Sequence, residues 1–267
     1  MRRKSKIAQQ RARNHTVMGI AFILLMVLIG TALVWWYGQR PAPLDPTTLC
    51  PGSGPIGQQV LLVDRTDPFN PAQKAAFDNL TKDLVDKLPV GYMLSVFVLG
   101  DDFKAETKPL IELCNPGTGE DKSELTQNTK ALRNQYVSGF IQPLEKVTTE
   151  LLTANAAKES PIIEMLQLVY LNSIQAHKTK GPVTLYILSD LMQFSPALDM
   201  YKSTPSFEKY DATYTAKKLW VDLGTVDVHV ILLNNNIKNQ SPAFIDFWNA
   251  YFKRANAKSL EISNLPG

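Results

Sequence analysis

The sequence is poor in the residues that build metal clusters and disulfide scaffolds, with two Cys and three His in 267 residues. That excludes a disulfide-dense mini-protein and leaves little for a zinc cluster. Residues 1–16 also lack Asp and Glu, while Arg2, Arg3, Lys4, Lys6, Arg11 and Arg13 give them a local charge of +6. The whole chain carries +3, so everything after the tail sums to −3. The basic surplus therefore belongs to the tail, and no nucleic acid is expected at the rest. With 45% apolar and 20% charged residues the chain is neither disordered nor collagenous. Its length allows one sizeable domain or two small ones.

What is present begins with Val17 to Tyr37, an uncharged run that reads VMGIAFILLMVLIGTALVWWY. At about 1.5 Å per residue it matches the hydrocarbon core of roughly 30 Å. Trp35, Trp36 and Tyr37 close it, where amphipathic rings settle at the headgroup level. The preceding cations place the N-terminus in the cytoplasm, and the tail faces anionic lipid headgroups. The expected product is a single-pass protein of the inner (cytoplasmic) membrane whose C-terminal domain is periplasmic or extracellular. The alternative is a cleaved signal peptide, whose apolar region usually runs only about 7–15 residues and ends at small residues. Residues 38–57 are rich in Pro and Gly and read as a linker. Residues 58–267 form the domain, with no internal repeat and no second apolar span.

Within the domain, Gln59 to Asp64 is an apolar run ending in an acid, as in a buried parallel strand. Asn70-Pro71 with Gln73 opens a helix that runs to about Lys87. Further strands are expected over 91–99, 109–113, 183–188, 226–233 and 260–263. Helical stretches are expected over 125–157 with a break near Pro143, over 161–176, over 217–223 and from Pro242 onward. Alternating elements with fully apolar strands predict an α/β fold, a doubly wound and mostly parallel sheet behind one transmembrane helix. In such sheets the site lies at the carboxyl ends of the strands.

Asp64, Thr66 and Asp67 follow the first strand, Ser160 precedes a helix, and Asp190 follows the fourth strand. In this order and spacing the domain resembles the von Willebrand factor A-like family over roughly residues 58–264. The resemblance implies a divalent ion, Mg²⁺ or Mn²⁺, held by Asp64, Thr66, Ser160 and Asp190, with Asp67 as a substitute ligand. It also implies that a partner's carboxylate completes the metal shell, so the ion is an adhesive bridge and not a catalyst. The family's second hydroxyl position falls on Pro68, which offers no ligand atom. A scaffold with a degenerate site therefore stands beside the metal site. In the same residues an ordinary N-cap (Ser160) and a turn (Thr66 to Pro68) are the plainer readings.

Asp64-x-Thr66 is also faintly similar to the aspartyl nucleophile of haloacid dehalogenase-like phosphatases, which have a second acid where Thr66 stands. G-x-S-x-G and P-loop patterns are absent. His229 alternates with Val228 and Val230 and reads as a sheet-face residue, and His177 suits a helix C-terminus. The chain is thus not expected to be an enzyme.

If the third strand runs antiparallel, as the resemblance implies, Cys114 lies at the amino-terminal edge of the sheet near Cys50. An oxidising compartment then predicts a Cys50–Cys114 disulfide, with free thiols or an intermolecular bridge as the alternatives. Residues 194–214 exceed the usual loop length and carry Tyr201, Phe207 and Tyr210. With the acidic Asp101 and Asp102 they are candidate contacts for a partner protein. The expected function is a membrane-anchored protein-binding module of an envelope-associated complex. A structural scaffold subunit and a phosphatase-like hydrolase using Asp64 are the alternatives.

Overall fold

The computed structural model describes residues 3–38, 43–100, 107–120, 128–152, 157–235 and 238–265. The chain divides into two units, Met1–Pro43 and Leu44–Gly267. The described residues of the first form one helix, α1 (Arg3–Gly38). Its segment Val17–Trp36 is long and apolar enough to cross a membrane, and none of it is buried against protein. Trp35 and Val34 are among its most exposed side chains.

The second unit is an α/β domain. In chain order it comprises β1 (Gln58–Asp64), α2 (Pro71–Lys87), β2 (Met93–Leu99) and β3 (Ile111–Cys114). There follow α3 (Thr129–Gln135), a π-helical turn (Tyr136–Ile141) and α4 (Gln142–Leu151). Next come α5 (Ile162–Val169), a second π-helical turn (Tyr170–Ile174) and α6 (Gln175–His177). The chain continues through β4 (Val183–Ser189), β5 (Phe194–Ser195), β6 (Leu198–Asp199), α7 (Phe207–Asp211) and α8 (Tyr214–Lys218). It ends with β7 (Val226–Leu233), α9 (Pro242–Arg254) and β8 (Ser259–Leu265).

The six-stranded sheet has the order β3-β2-β1-β4-β7-β8. Only β3 is antiparallel to its neighbour, and β5 with β6 makes a separate small hairpin. Alternation along β1 splits its side chains between two cores. Val60 and Leu62 face a core shared with α5 and α9, and Leu61 and Val63 face one shared with α2 and α4. Helices thus cover both faces, which is why the central strands read as continuous apolar runs.

Local signals explain the element starts. Asn70 accepts from the Gln73 N–H and the Gln73 side chain accepts from the Asn70 N–H, so α2 opens with a full capping box. The helical stretch expected over 125–157 is broken by the π-helical turn at 136–141, just before Pro143. Proline has no N–H for the regular ladder, and the wider turn absorbs that loss. The helix expected over 217–223 instead occupies Tyr214–Lys218, where the Thr213 hydroxyl caps it by accepting from the Ala216 N–H at 3.1 Å. The segment 194–214, read as a loop, contains the β5–β6 hairpin and α7. The compact unit also starts earlier than the expected linker boundary. Asp45 accepts from the N–H groups of Thr47 and Thr48, and the Thr48 carbonyl accepts from the Cys114 N–H at 2.8 Å.

Cys50 and Cys114 form a disulfide. Cys114 pairs with Met93, the first residue of β2, which places the bridge at the amino-terminal edge of the sheet.

A buried polar network ties the amino-terminal half of the sheet to the second π-helical turn. Glu112 Oε1 accepts from Ser95 and Ser173 at 2.9 Å each and lies 3.1 Å from His177 Nε2. Gln58 Nε2 donates to Ser173 at 2.7 Å. Burial pushes the Glu112 carboxyl up, but the hydrogen bonds from His177, Ser173 and Ser95 outweigh it and hold the group below its usual 4.5. The Glu112 hydrogen bond raises His177 above its usual 6.5, against burial. The Glu112 contribution is present above pH 4.5 and is lost as pH falls through its lowered folded value. The His177 contribution is full below pH 6.5 and is lost as pH rises through its raised folded value. Stability is therefore expected to fall as pH rises from 6.5 through the raised folded value of His177. Melting curves between pH 6 and pH 9 check this, and His177→Gln is expected to flatten that slope. An unchanged slope in the variant would remove the pair as its source.

Candidate functional site at the carboxyl edge of the sheet

β1 and β4 are parallel neighbours with Val63 opposite Leu188, so their next residues, Asp64 and Ser189, end side by side. Ser189 Oγ donates to Asp64 Oδ2 at 2.6 Å. Asp64 Oδ1 accepts from the Thr66 hydroxyl at 2.6 Å and from the Thr66 N–H at 3.0 Å. Thr66 Oγ1 in turn lies 3.2 Å from Ser160 Oγ. The fourth expected residue, Asp190, uses Oδ1 to accept from the Met192 N–H at 3.0 Å. Asp64, Thr66, Ser160, Ser189 and Asp190 are all buried.

The strand-end loop is held in a costly shape. Leu191 is buried with φ 56°, in the left-handed region that a branched apolar residue rarely adopts. The Leu191 N–H donates to Ser189 Oγ at 2.8 Å, and the Gln193 N–H donates to the Leu191 carbonyl at 2.9 Å. Gln240 reaches across from the loop after β7 and donates to the Asp190 carbonyl at 3.1 Å. The Gln193 side chain accepts from the Ile163 N–H and donates to Glu164, fixing the start of α5. Ser160 is fixed in the same way, by a two-bond β-bridge to Phe194 at 2.8 Å each way.

Desolvation pushes the Asp64 carboxyl above its usual 3.8, and the nearby Asp67 charge adds to that, while the donors from Ser189 and Thr66 oppose it. Burial outweighs the three hydrogen bonds, so the neutral acid is favoured more than in water.

Asp64 and Thr66 at the end of β1, Ser160 ahead of α5 and Asp190 after β4 thus come from three segments to the carboxyl edge of the sheet. Asp67 is half-buried and lines a small, open polar depression with Arg65, Phe69 and Lys74. Tyr201 is exposed beside the cluster, its ring edge-on to Phe194 at 5.9 Å. Tyr210 is corrected from a surface contact to a core residue. It is buried, and both it and the half-buried Phe207 pack on Phe247 of α9. Asp101 and Asp102 lie outside the described residues. Sequence reasoning missed Ser189, Gln193 and Gln240. Ser189 carried no local signal: only the register of β1 against β4 brings the last polar residues of the two strands into contact.

The donor set bears on the ion that the family resemblance implies. Among the described residues, no group of three or more His, Cys, Asp and Glu is gathered to hold a metal. The cluster offers two carboxylates, Asp64 and Asp190, and a pair of hydroxyls 3.2 Å apart. Adjacent ligands of an octahedral Mg²⁺ at about 2.1 Å are roughly 3 Å apart, so Thr66 and Ser160 have suitable spacing. Both Asp64 oxygens already accept internal hydrogen bonds. No protein-family model matches the chain, and no curated protein matches it.

Proposed function

We propose that the chain is a single-pass membrane-anchored protein-binding module with its N-terminus in the cytoplasm. In this reading its von Willebrand factor A-like domain grips a partner protein through the carboxyl edge of the sheet. One observation carries the reading: the exposed Tyr201 ring stands on Phe194, whose backbone is bonded to Ser160 of the polar cluster. Tyr is enriched at interface cores and among the residues that carry most binding energy, and a ring held by a packed neighbour loses little freedom on binding. The test is co-purification from mild detergent of wild type and Tyr201→Ala. The variant is expected to lose its bound protein with an unchanged melting temperature. Equal recovery of the same protein would remove Tyr201 and the carboxyl edge around it from the interface.

A second reading, in which a divalent ion bridges to the partner, is favoured by the Thr66–Ser160 hydroxyl spacing. Thr66, Ser160, Asp64 and Asp190 would hold the ion, which would supply charge to bind a partner carboxylate. Calorimetry with Mg²⁺ and Mn²⁺ separates the readings. Heat that disappears in Thr66→Val supports the ion, and no heat at millimolar ion supports the metal-free edge.

Asp64 supplies a further check. Its folded value is raised, so its favourable contribution is full below pH 3.8 and is lost as pH rises through the folded value. Asp64→Asn keeps one oxygen to accept from Thr66, turns an amide N–H donor toward Ser189 Oγ in place of the acceptor there, and removes the buried charge. It is expected to raise the melting temperature at pH 7 and to lose that advantage near pH 3. A variant less stable than wild type at pH 7 would mean that the ionised carboxylate is net stabilising.

A further inference from the structure

The opposite, amino-terminal edge of the sheet carries features that neither the fold nor the partner reading uses. Val90 and Ile56, in the turns ahead of β2 and β1, are 60% and 55% exposed. Gly181, ahead of β4, packs so closely on the chain that a Cβ there would strike the Ile56 carbonyl oxygen. Lys180 precedes this close approach by one residue. Trp220, ahead of β7, is 45% exposed, and the Arg254 guanidinium at the end of α9 lies 5.8 Å from its ring centre.

Basic residues cluster on the same elements. Lys178 and Lys180 follow α6, Lys217 and Lys218 close α8 just before Trp220, and Lys253 lies in the last turn of α9. All five are exposed, and none makes an ion pair among the described residues. Cations at helix C-termini complement the helix dipole. That does not account for the exposed Val90, Ile56 and Trp220, whose mixture with lysines is the pattern of a membrane-surface contact.

We propose that this edge rests on an anionic phospholipid surface, with the lysines on the phosphates and Trp220 and Ile56 in the headgroup layer. The bilayer is the occupant because of chain connectivity. The disulfide fixes Cys50 to Cys114 at this edge, the Thr48 carbonyl accepts from the Cys114 N–H, and only residues 39–43 separate this unit from the end of α1 at Gly38. That tether spans at most about 20 Å when fully extended. The proposal rests on membrane anchorage by residues 17–36 and not on the partner edge, and it holds whichever side of the membrane the domain occupies.

The test is deuterium exchange of the full chain in nanodiscs of phosphatidylcholine alone and of phosphatidylcholine mixed with phosphatidylglycerol. Peptides covering 54–57, 88–92, 178–182 and 219–225 are expected to exchange several-fold more slowly in the anionic discs. High salt is expected to reverse the slowing. So is the combined variant Lys180→Glu, Lys217→Glu, Lys218→Glu and Lys253→Glu, or its Lys→Gln counterpart if the Glu version does not fold. Peptides over 65–70 at the carboxyl edge are expected to be unchanged. Identical exchange in the two discs would overturn the proposal. Slowing by polyglutamate or inorganic phosphate in phosphatidylcholine discs, without an effect of phosphatidylglycerol, would also overturn it by assigning the edge to an acidic protein or a free ion.

Discussion

Removing the Cys50–Cys114 bridge, in Cys50→Ala with Cys114→Ala, is expected to lower the melting temperature by roughly 10–15 °C. The bonded residues are 64 positions apart. By chain entropy, a loop of that size stabilises by about 4 kcal/mol, because the open chain gains freedom only in the unfolded state. For a domain of this length each kcal/mol shifts the midpoint by about 2–4 °C. Both cysteines are buried with Met93, so the variant also leaves a small void. The Thr48 carbonyl still accepts from the Cys114 N–H without the bridge, so the segment from Leu44 keeps one tie to β3. The check is thermal unfolding of the full chain in detergent, with a thiol titration of the unreduced, denatured protein. Two free thiols would show that the bridge does not form. A shift below about 2 °C would mean that the loop is closed equally well without it.

The antiparallel β3 that makes this bridge possible was visible only through a family resemblance, since a four-residue run does not reveal its direction. What the residues themselves disclosed were features with strong local causes. The apolar strands β1, β4 and β7, the capping box of α2 and the aromatic stripe of α9 each follow from a local pattern. The candidate site was legible as far as the rule that in such sheets a site lies at the strand carboxyl ends, which led to Asp64 and Asp190. Ser189 was not, because its role depends on the register between β1 and β4, which side chains far apart in sequence decide together. Tyr210 was misplaced for a related reason. An aromatic in an irregular segment has no period to mark its facing, and here α9 takes it into the core. The ordered turn at Asp45 shows the same limit, because Pro-rich sequence signals a linker whether or not a disulfide fastens it.

Trp248→Ala is expected to cost about 3–5 kcal/mol, the range for removing a large aromatic from a core. The indole is fully buried, and its ring lies 5.6 Å from Phe247, 5.4 Å from Tyr251 and 6.0 Å from Phe252. These side chains, with Phe244, form the face by which α9 joins the core shared with β7. Truncation therefore opens a void at the middle of a packed aromatic cluster, where the neighbouring rings cannot collapse without leaving one another. Trp248→Phe separates this packing loss from polar effects. Among the described residues the indole Nε1 is buried without a hydrogen-bond acceptor. A Phe keeps most of the ring contacts and removes that unpaired donor, so its cost is expected to stay under about 1.5 kcal/mol. Chemical denaturation of both variants checks the pair. If Trp248→Phe were as damaging as Trp248→Ala, the indole N–H would have to be making a hydrogen bond that holds α9 in place. A small effect of Trp248→Ala would instead mean that the aromatic face of α9 contributes little to the core.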